Sequence, residues 1–547
     1  MTAHDTLRAA LTRAAASLGA PNAQVQLERP KDPAHGDVAT NLALWLAKDL
    51  KAKPRDLATQ LVSALELPHG LIKKTEIAGP GFINFFLAEA QVAGGVGLVL
   101  ATGPRYGRSE TGAGRKVNVE FVSANPTGPL HVGHGRQAAI GDAIATLLEW
   151  TGWKVTREYY YNDTGAQIIN LARSVQARIK ELASQPALIP EGGYHGEYIK
   201  DIALSYVVAH REDETGEHLD AIRRFAVDAL RKEQDKDLQA FGVQFDVYFL
   251  ESSLYTKGNV DATVQRLVAA GHTFEEDGAL WLRTTAFGDD KDRVMKKSAG
   301  KGGDYTYFVP DVAYHADKWE RGFHRAIDVQ GADHHSTVTR VRGGLQALER
   351  GITPGYPEYV LHQMVTVMKG GEELKISKRA GSYVTVRDLV DEVGADALRY
   401  FYLMRRSESH LVFDVDLAKS QTEENPVYYV QMAHARMSGI FRVAGKTPET
   451  ATPEGVDLAL LDEPDELDLM KALADFPGIV EGAAQALEPH RITGYLESLA
   501  RQAHAWYHKF RVLGEPEEAA RLVLARAVRQ VLANGLSLLG IGAPDRM

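Results

Sequence analysis

The stretch that decides the fold runs from Lys116 to Tyr161 and reads KVNVEFVSANPTGPLHVGHGRQAAIGDAIATLLEWTGWKVTREYYY. Polar and apolar side chains alternate over its first seven residues and again from Trp153 to Tyr161, and such alternation predicts β-strands. A Gly/Pro-containing turn leads from the first strand into an Ala- and Gly-rich segment, Val132 to Trp150, that we expect to be helical. Strand, turn, helix and strand together form a βαβ unit, which begins a doubly wound α/β domain.

The segments on either side of this unit indicate a multidomain chain. Residues before it alternate between helix and strand patterns and end in a Gly-bounded strand, Thr75 to Phe86, followed by a turn-rich linker that starts at Thr102. Beyond the unit, strand-like pieces recur after a helical stretch, at residues 243–249, 309–312, 326–329 and 363–367.

These patterns predict three domains. The first is an α+β domain over residues 1–105, and the second is a Rossmann-type domain over 106–395 with a mainly helical insertion at about 171–240. From Asp396 onward the chain is almost entirely helix-periodic, so we expect an all-α domain over 396–547.

Composition excludes several classes of protein. The 547 residues include no cysteine, which rules out a disulfide scaffold, a thiolate zinc site, an iron–sulfur cluster and a cysteine nucleophile. No apolar run approaches the ~20 residues that span a bilayer. The N-terminal spacing predicts an amphipathic helix and not a signal peptide, so we expect a cytoplasmic protein. The net charge of −10 argues against nonspecific coating of nucleic acid but leaves room for a specific polyanion partner.

The first chemical motif is His131-Val-Gly-His134, placed where the predicted strand turns into the predicted helix. Backbone N–H groups and the dipole at a helix N-terminus attract phosphate, and Gly133 lets a phosphate approach the backbone closely. Two imidazoles one turn apart can donate to phosphate oxygens. The competing interpretation, two surface histidines at a helix start, remains open on this tetrapeptide alone.

The second motif is the basic segment Leu374-Lys-Ile-Ser-Lys-Arg-Ala-Gly381, next to the Gly370-Gly371 turn. Three cations in five residues beside glycines indicate a loop that can close over a polyphosphate. Alone, such a segment is more often a solvated charge cluster. Its pairing with His-x-Gly-His on a nucleotide-binding unit favours the phosphate interpretation.

The pair resembles the HIGH and KMSKS motifs of the class I aminoacyl-tRNA synthetases, and the wider pattern resembles the arginyl-tRNA synthetase family. The segments that carry this resemblance lie along the whole chain: His35–Asn41, Val119–Arg136, Tyr161–Gln167, Asp304–Tyr307 running to Asp311, Gly331–His334, Asp396-Ala-Leu-Arg399 and Gly540–Met547. The Asp-Ala-Leu-Arg tetrapeptide gives the family's helical anticodon-binding domain its name. Some members replace the second loop lysine by one before the HIGH motif, but here Lys378 is present and residues 124–130 contain no lysine.

The resemblance implies a role for each matching residue. Catalysis falls to His131, His134, Lys375 and Lys378, and ATP binding to Gly133, His131, His134, Ser377 and Lys378. Arginine binding falls to Glu120, Ser123, Asn125, Tyr307, Asp311 and His334, with Asp333 an alternative to His334. The HIGH region comprises Ala124, Asn125, Pro126, Thr127, Gly128, Pro129, Leu130, His131, Val132, Gly133 and His134. Carboxylates suit this substrate because a guanidinium presents five donors in a plane.

The implied activity is that of an arginine–tRNA ligase. Arginine would be activated by ATP, accompanied by Mg²⁺, and passed to the 2′-hydroxyl of the terminal adenosine of tRNA(Arg), with no zinc and no protein metal site. We expect a monomer without membrane contact. Two alternative functions share parts of this pattern. A noncatalytic tRNA-binding paralogue would be expected to lose these histidines and lysines, and a nucleotidylyltransferase would not need the flanking domains.

The two loop lysines should differ in their effect. Lys378→Ala should lower the adenylation rate by roughly 10²–10³-fold, the scale for losing one preorganised charge at a phosphoryl transition state. Lys375→Ala should lower it less, because in the family the second lysine carries the activation step. Single-turnover adenylation measures both, and a larger loss at Lys375 would show that the loop is misassigned.

Overall fold

The structure is a computed structural model that describes residues 3–30, 32–374 and 384–547. Its N-terminal part packs helices on a three-stranded antiparallel sheet of order β1-β3-β2. The elements are α1 (Ala3–Ser17), β1 (Val38–Thr40), α2 (Leu42–Asp49), α3 (Pro54–Ser63), β2 (Ile72–Ala78), β3 (Phe82–Leu87) and α4 (Glu89–Thr102).

A five-stranded, fully parallel sheet of order β11-β10-β4-β5-β6 forms the centre. The elements of this part are β4 (Lys116–Glu120), α5 (Val132–Trp150), β5 (Lys154–Tyr161), α6 (Gly165–Leu182), α7 (Glu197–Ala209), α8 (Leu219–Ala240), β6 (Val247–Leu250), α9 (Ser252–Thr256), α10 (Asn259–Ala269), β7 (Thr273–Glu276), β8 (Ala279–Leu282), β9 (Arg293–Lys296), α11 (Phe308–Glu320), β10 (Ala326–Gly331), α12 (His335–Ala347), β11 (Glu358–His362), β12 (Val365–Lys369) and β13 (Glu372–Glu373).

The predicted βαβ unit is confirmed, and α5 begins and ends where the sequence places it. From β4 the chain crosses to β5 on one side, and β10 later joins β4 on the other. The carboxyl ends of β4 and β10 therefore border the crevice where open parallel sheets bind their ligands. β10 also confirms the strand predicted at residues 326–329.

The remaining part is helical apart from β14, which pairs in parallel with β12. Its elements are α13 (Val386–Val393), α14 (Ala395–Leu403), β14 (Leu411–Asp414), α15 (Val415–Lys419), α16 (Pro426–Val443), α17 (Pro464–Ala486), α18 (His490–Lys509) and α19 (Glu518–Leu538). The helix α4 packs against α17 and α19, so the last helix before the linker is attached to the C-terminal helices.

The strand predicted at residues 309–312 is wrong, because these residues lie in α11. Val309 and Val312 are both fully buried one helical turn apart, and Pro310 occupies the first turn, where its missing N–H leaves no hydrogen bond unmade. A four-residue segment with a valine at each end, as in Val309-Pro-Asp-Val312, fits a short strand and a buried helix face equally well.

The single strand predicted over Thr75 to Phe86 is also wrong, since the segment is the hairpin β2–β3. Its turn contains Gly79 and Gly81, whose φ angles are +52° and +151°. Glycine adopts these values without a steric penalty, so the chain reverses direction within the alternating sequence pattern.

Candidate active site

Both histidines of the HIGH motif cap the N-terminus of α5. The backbone N–H of Gly133 donates to Nδ1 of His131 (3.1 Å), and the N–H of His131 donates to Nδ1 of His134 (3.3 Å). The two rings stack with centroids 3.6 Å apart. Because each Nδ1 accepts a backbone proton, each neutral ring carries its own proton on Nε2. Nε2 is therefore the ring nitrogen that can donate a hydrogen bond in each histidine.

Close packing explains two glycines of the same helix. A Cβ on Gly133 would lie 3.0 Å from the His131 ring, and one on Gly141 would lie 2.2 Å from Phe121 of the strand turn. Gly133 thus allows the capping ring to fold over the helix end, and Gly141 allows α5 to press against the residue that follows β4. Together these two close contacts set the distance between the histidine rings and the sheet.

The chain that follows the basic segment returns to the HIGH motif. Val386 donates its backbone N–H to the carbonyl of Leu130 (2.8 Å), and Thr385 forms an antiparallel bridge with His131. The predicted loop residues Lys375, Ser377 and Lys378 lie outside the described residues. Their roles stay predictions.

Glu120 ends β4 and is held in a strained turn. Val122 and Ser123 have φ angles of +66° and +40°, which non-glycine residues seldom adopt. The Ser123 hydroxyl donates to Oε1 of Glu120 (2.8 Å) and accepts the backbone N–H of Tyr160 (3.1 Å). Strain of this kind persists where the surroundings over-determine it, and such sites are often functional.

The loop between this turn and α5 is fixed by a buried glutamine of the helical insertion. Gln234 donates its amide to the carbonyls of Gly128 (2.8 Å) and Asn125 (3.2 Å). Tyr159 donates to the carbonyl of Ala124 (3.1 Å), and the Asn125 amide donates to Gln167 (2.7 Å). The insertion thus supports the HIGH region through its backbone.

Two carboxylates near Glu120, one half-buried and one buried, make no ion pair within the described residues. Within the described part of the chain, Asp311 makes no ion pair or side-chain hydrogen bond, and burial raises its pKa to about 7 against the opposing influence of His315 and Arg340. Glu251 is buried and accepts hydrogen bonds from the hydroxyls of Tyr160 (2.8 Å) and Thr164 (3.0 Å). Burial raises the pKa of Glu251 as well. Glu251 and Asp311 also interact electrostatically. A ligand cation placed between them would relieve the cost of their burial.

The other two predicted arginine ligands lie at the edge of the crevice. Tyr307 is 67% exposed, and its hydroxyl lies 3.9 Å from the position that a Cβ on Gly165 would take. His334 is exposed and sits 3.8 Å from the carboxylate of Asp333, beyond the end of β10. The structure brings Glu120, Ser123 and Asp311 together and leaves these two side chains toward solvent.

Sequence models of three families match successive parts of the chain. The arginyl tRNA synthetase N terminal domain matches residues 2–87, the class I (R) tRNA synthetase catalytic domain matches 96–438, and the DALR anticodon binding domain matches 430–547. The arginine–tRNA ligase of Geobacter metallireducens is 57% identical over 538 residues, covering 96% of this chain and 95% of that protein. The arginine–tRNA ligase of Bordetella petrii is 56% identical over 556 residues, with 98% of each chain covered.

The chain belongs to the arginyl-tRNA synthetase family. The fold agrees: the Thermus thermophilus arginyl-tRNA synthetase superposes with a TM-score of 0.78 at 23% identity, covering 99% of this chain and 100% of that one. The resemblance inferred from the motifs and the three-domain architecture are thereby confirmed.

Glu251 was not among the site residues predicted from the sequence. Glu251 directly follows β6, next to the β5 end that carries Tyr160, so it lies at the same carboxyl edge as Glu120. The sequence pattern predicts a strand over residues 243–249, and ligands bind beyond the carboxyl ends of parallel strands, so the first acid after this strand is the signal that points to Glu251.

Asp311→Asn tests which carboxylate holds the guanidinium. The substitution keeps the size of the side chain but removes a charge-assisted hydrogen bond, so the Michaelis constant for arginine should rise about 10- to 100-fold. The constant for ATP should stay nearly unchanged in the same steady-state assay.

Glu320→Gln is the matched control, because Glu320 is an acid of the same helix that pairs with Arg350. It should leave both constants as they are. Wild-type arginine dependence in Asp311→Asn would remove Asp311 from the pocket.

Proposed function

We propose that the protein is an arginine–tRNA ligase that works through the crevice described above. The observation that carries the proposal is the pair of desolvated carboxylates, Asp311 and Glu251, which make no ion pair within the described residues and lie near Glu120, the last residue of the strand before the HIGH motif. A planar guanidinium can satisfy two such acceptors at once, whereas an ammonium offers a point contact.

The first reaction joins arginine to AMP. A carboxylate oxygen of arginine attacks the α-phosphorus of ATP, the bond to the β-phosphate oxygen breaks, and pyrophosphate leaves. The α5 N-terminus and the Nε2–H groups of His131 and His134 supply donors for phosphate oxygens, on which charge accumulates. Lys375 and Lys378 add cations, and Ser377 and Gly133 complete the ATP site.

The second reaction transfers arginine to tRNA. The 2′-oxygen of the terminal adenosine attacks the acyl carbon, AMP leaves, and the hydroxyl proton departs with it or to solvent. The enzyme provides positioning and no covalent nucleophile, as in other phosphoryl and acyl transfers that depend on orientation.

Mg²⁺ would enter with the ATP phosphates, which is the usual mode of this cation. Among the described residues, the spacing of Glu120, His315 and Asp328 could suit a metal ion. The ammonium of Lys318 already lies among these carboxylates, bonded to Glu120 (2.6 Å) and Asp328 (2.9 Å). The donor set is therefore matched to a lysine and not to a resident metal.

The tRNA partner fits a cleft between α16 and α18. Its walls contain aromatic, thioether and basic side chains, including Tyr429, Met432 and Arg436, and the Arg436 guanidinium donates to Nδ1 of His504 (2.7 Å). Aromatic faces and a guanidinium plane are what unpaired bases stack on. We propose that this cleft receives anticodon bases, in line with the family model for this domain.

The proposed partners are tRNA(Arg), L-arginine and ATP, and the proposed state is a cytoplasmic monomer. In the part of the chain that the structure describes, every helix is too short or too polar to cross a membrane.

Pyrophosphate exchange tests the function. Exchange of labelled pyrophosphate into ATP should appear with arginine plus tRNA, and not with lysine or citrulline; on the family resemblance, arginine alone should give none. Exchange without any amino acid would favour a nucleotidylyltransferase, and tRNA binding with no exchange would favour a noncatalytic paralogue.

His131→Asn tests the role of the histidine donor in this assay. Asparagine is a good helix N-cap and replaces the Nδ1 acceptor, but it lacks the Nε2–H donor. The variant should melt like the wild type and lose most of its exchange activity. Retained exchange would show that the histidine donor is not used.

A further inference from the structure

A fully buried lysine lies under the candidate arginine pocket without touching solvent. The Lys318 ammonium donates to Oε2 of Glu120 at 2.6 Å and to Oδ1 of Asp328 at 2.9 Å, and it lies 4.5 Å from the ring centre of Tyr314. Asp328 in turn contacts Nε2 of His315 at 2.6 Å. Helix α11, strand β4 and strand β10 are thus joined through one cation.

The same helix carries the pocket's candidate guanidinium ligand. Asp311, His315 and Lys318 follow one another at helical spacing on one face of α11, and the His315 ring also contacts the Asp311 carbonyl (2.7 Å). The charged and titratable groups around Glu120 come from four elements: Asp311, Tyr314, His315 and Lys318 of α11, Asp328 of β10, Glu158 and Tyr160 of β5, and Tyr359 of β11.

The carboxylates of this region divide into two sets. Glu120 and Asp328 share Lys318, and Glu158 takes a bidentate pair from Arg321 (2.7 and 2.8 Å). Burial acts to raise the pKa of Asp328, but Lys318 and His315 outweigh it and hold the pKa below its usual value. Within the described chain, Asp311 and Glu251 have no such partner. The carboxyl groups with which a ligand cation can still pair are therefore on the Asp311–Glu251 side.

Lys318 also fixes the geometry of Glu120. One carboxylate oxygen accepts from the ammonium and the other from the Ser123 hydroxyl, so the carboxylate plane is held from both sides. Each oxygen keeps a further acceptor position for a substrate donor.

We propose that Lys318 is a positioning residue for arginine recognition, which orients Glu120 and offsets its charge so that the guanidinium is directed to Asp311 and Glu251. The inference rests on the proposed function and names a residue that does not itself touch the substrate. If instead Lys318 only balances buried charge, its loss should change stability and leave arginine recognition intact.

Two variants separate these roles. Lys318→Met removes the ammonium but keeps a side chain of similar length. The double variant Lys318→Met/Asp328→Asn also removes one negative charge. This second change restores the local charge balance, so the double variant should fold even where the single variant is unstable. In both, Glu120 has lost its anchor. Both should raise the Michaelis constant for arginine about 10- to 100-fold, the scale of a lost charged hydrogen bond, with little change for ATP or tRNA.

The pH profile gives a second readout. A buried carboxyl without its ammonium takes up a proton at higher pH, so the ratio of variant to wild-type Michaelis constants for arginine should be largest near pH 6 and shrink toward pH 8.5. A purely structural lysine would give a ratio that does not depend on pH.

Arg321→Met is the control, since it removes the partner of another buried carboxylate, Glu158, from the same helix. It should lower the melting temperature and leave the arginine constant unchanged. The inference is overturned if Lys318→Met/Asp328→Asn regains stability and normal arginine dependence together, or if Arg321→Met raises the constant equally. Failure of wild-type exchange with arginine would instead refute the proposed function.

Discussion

A buried ammonium between two buried carboxylates is the constraint on which the pocket depends. Ionised groups are expensive to bury, and Glu120, Asp328 and Lys318 can be ionised together only if the strands and α11 hold them in contact. The cluster consequently fixes how far α11 lies from β4 and β10. Asp311 sits on the same helix face, so its distance from the end of β4 follows from the same contacts. A cationic substrate then adds a positive charge beside Asp311 and leaves the pairing of Lys318 with Glu120 and Asp328 intact.

The helix that carries the HIGH motif is tied to the C-terminal helices by a second buried cation. Arg399 of α14 is almost fully buried and donates to Asp142 of α5 (2.6 Å) and to the carbonyl of Leu539 (2.8 Å). A Cβ on Gly540 would lie 2.4 Å from this guanidinium, so the chain after α19 has room for the arginine only at a glycine. Arg399 of the Asp-Ala-Leu-Arg tetrapeptide therefore connects α5, the helix that carries the HIGH motif, to the C-terminal helices.

Local signals were sufficient for the βαβ unit, because turn residues, alternation and helical periodicity all fall within forty or so neighbouring residues. The bounds of α5 and the strand at 326–329 follow from them. Residues 309–312 of α11 were predicted as a strand, so the sequence did not predict that Asp311 and Lys318 share one face of a helix. The contact between Lys318 and Glu120 joins residues 198 positions apart, and no local sequence pattern reports it. The motif residues of the basic loop rest on family resemblance alone, since that loop lies outside the described residues.

Arginine is expected to bind the ionised form of Asp311, a carboxyl group whose pKa burial raises to about 7 in the ligand-free protein. Calorimetric titration of the protein with arginine at pH 7, in two buffers of different ionisation enthalpy, measures the protons exchanged on binding. Since the pKa of Asp311 is about 7 and a guanidinium favours its ionised form, binding should release about half a proton at pH 7 and almost none at pH 9. Equal enthalpies in the two buffers at pH 7 would mean that arginine binding releases no proton to the buffer, which would contradict the account.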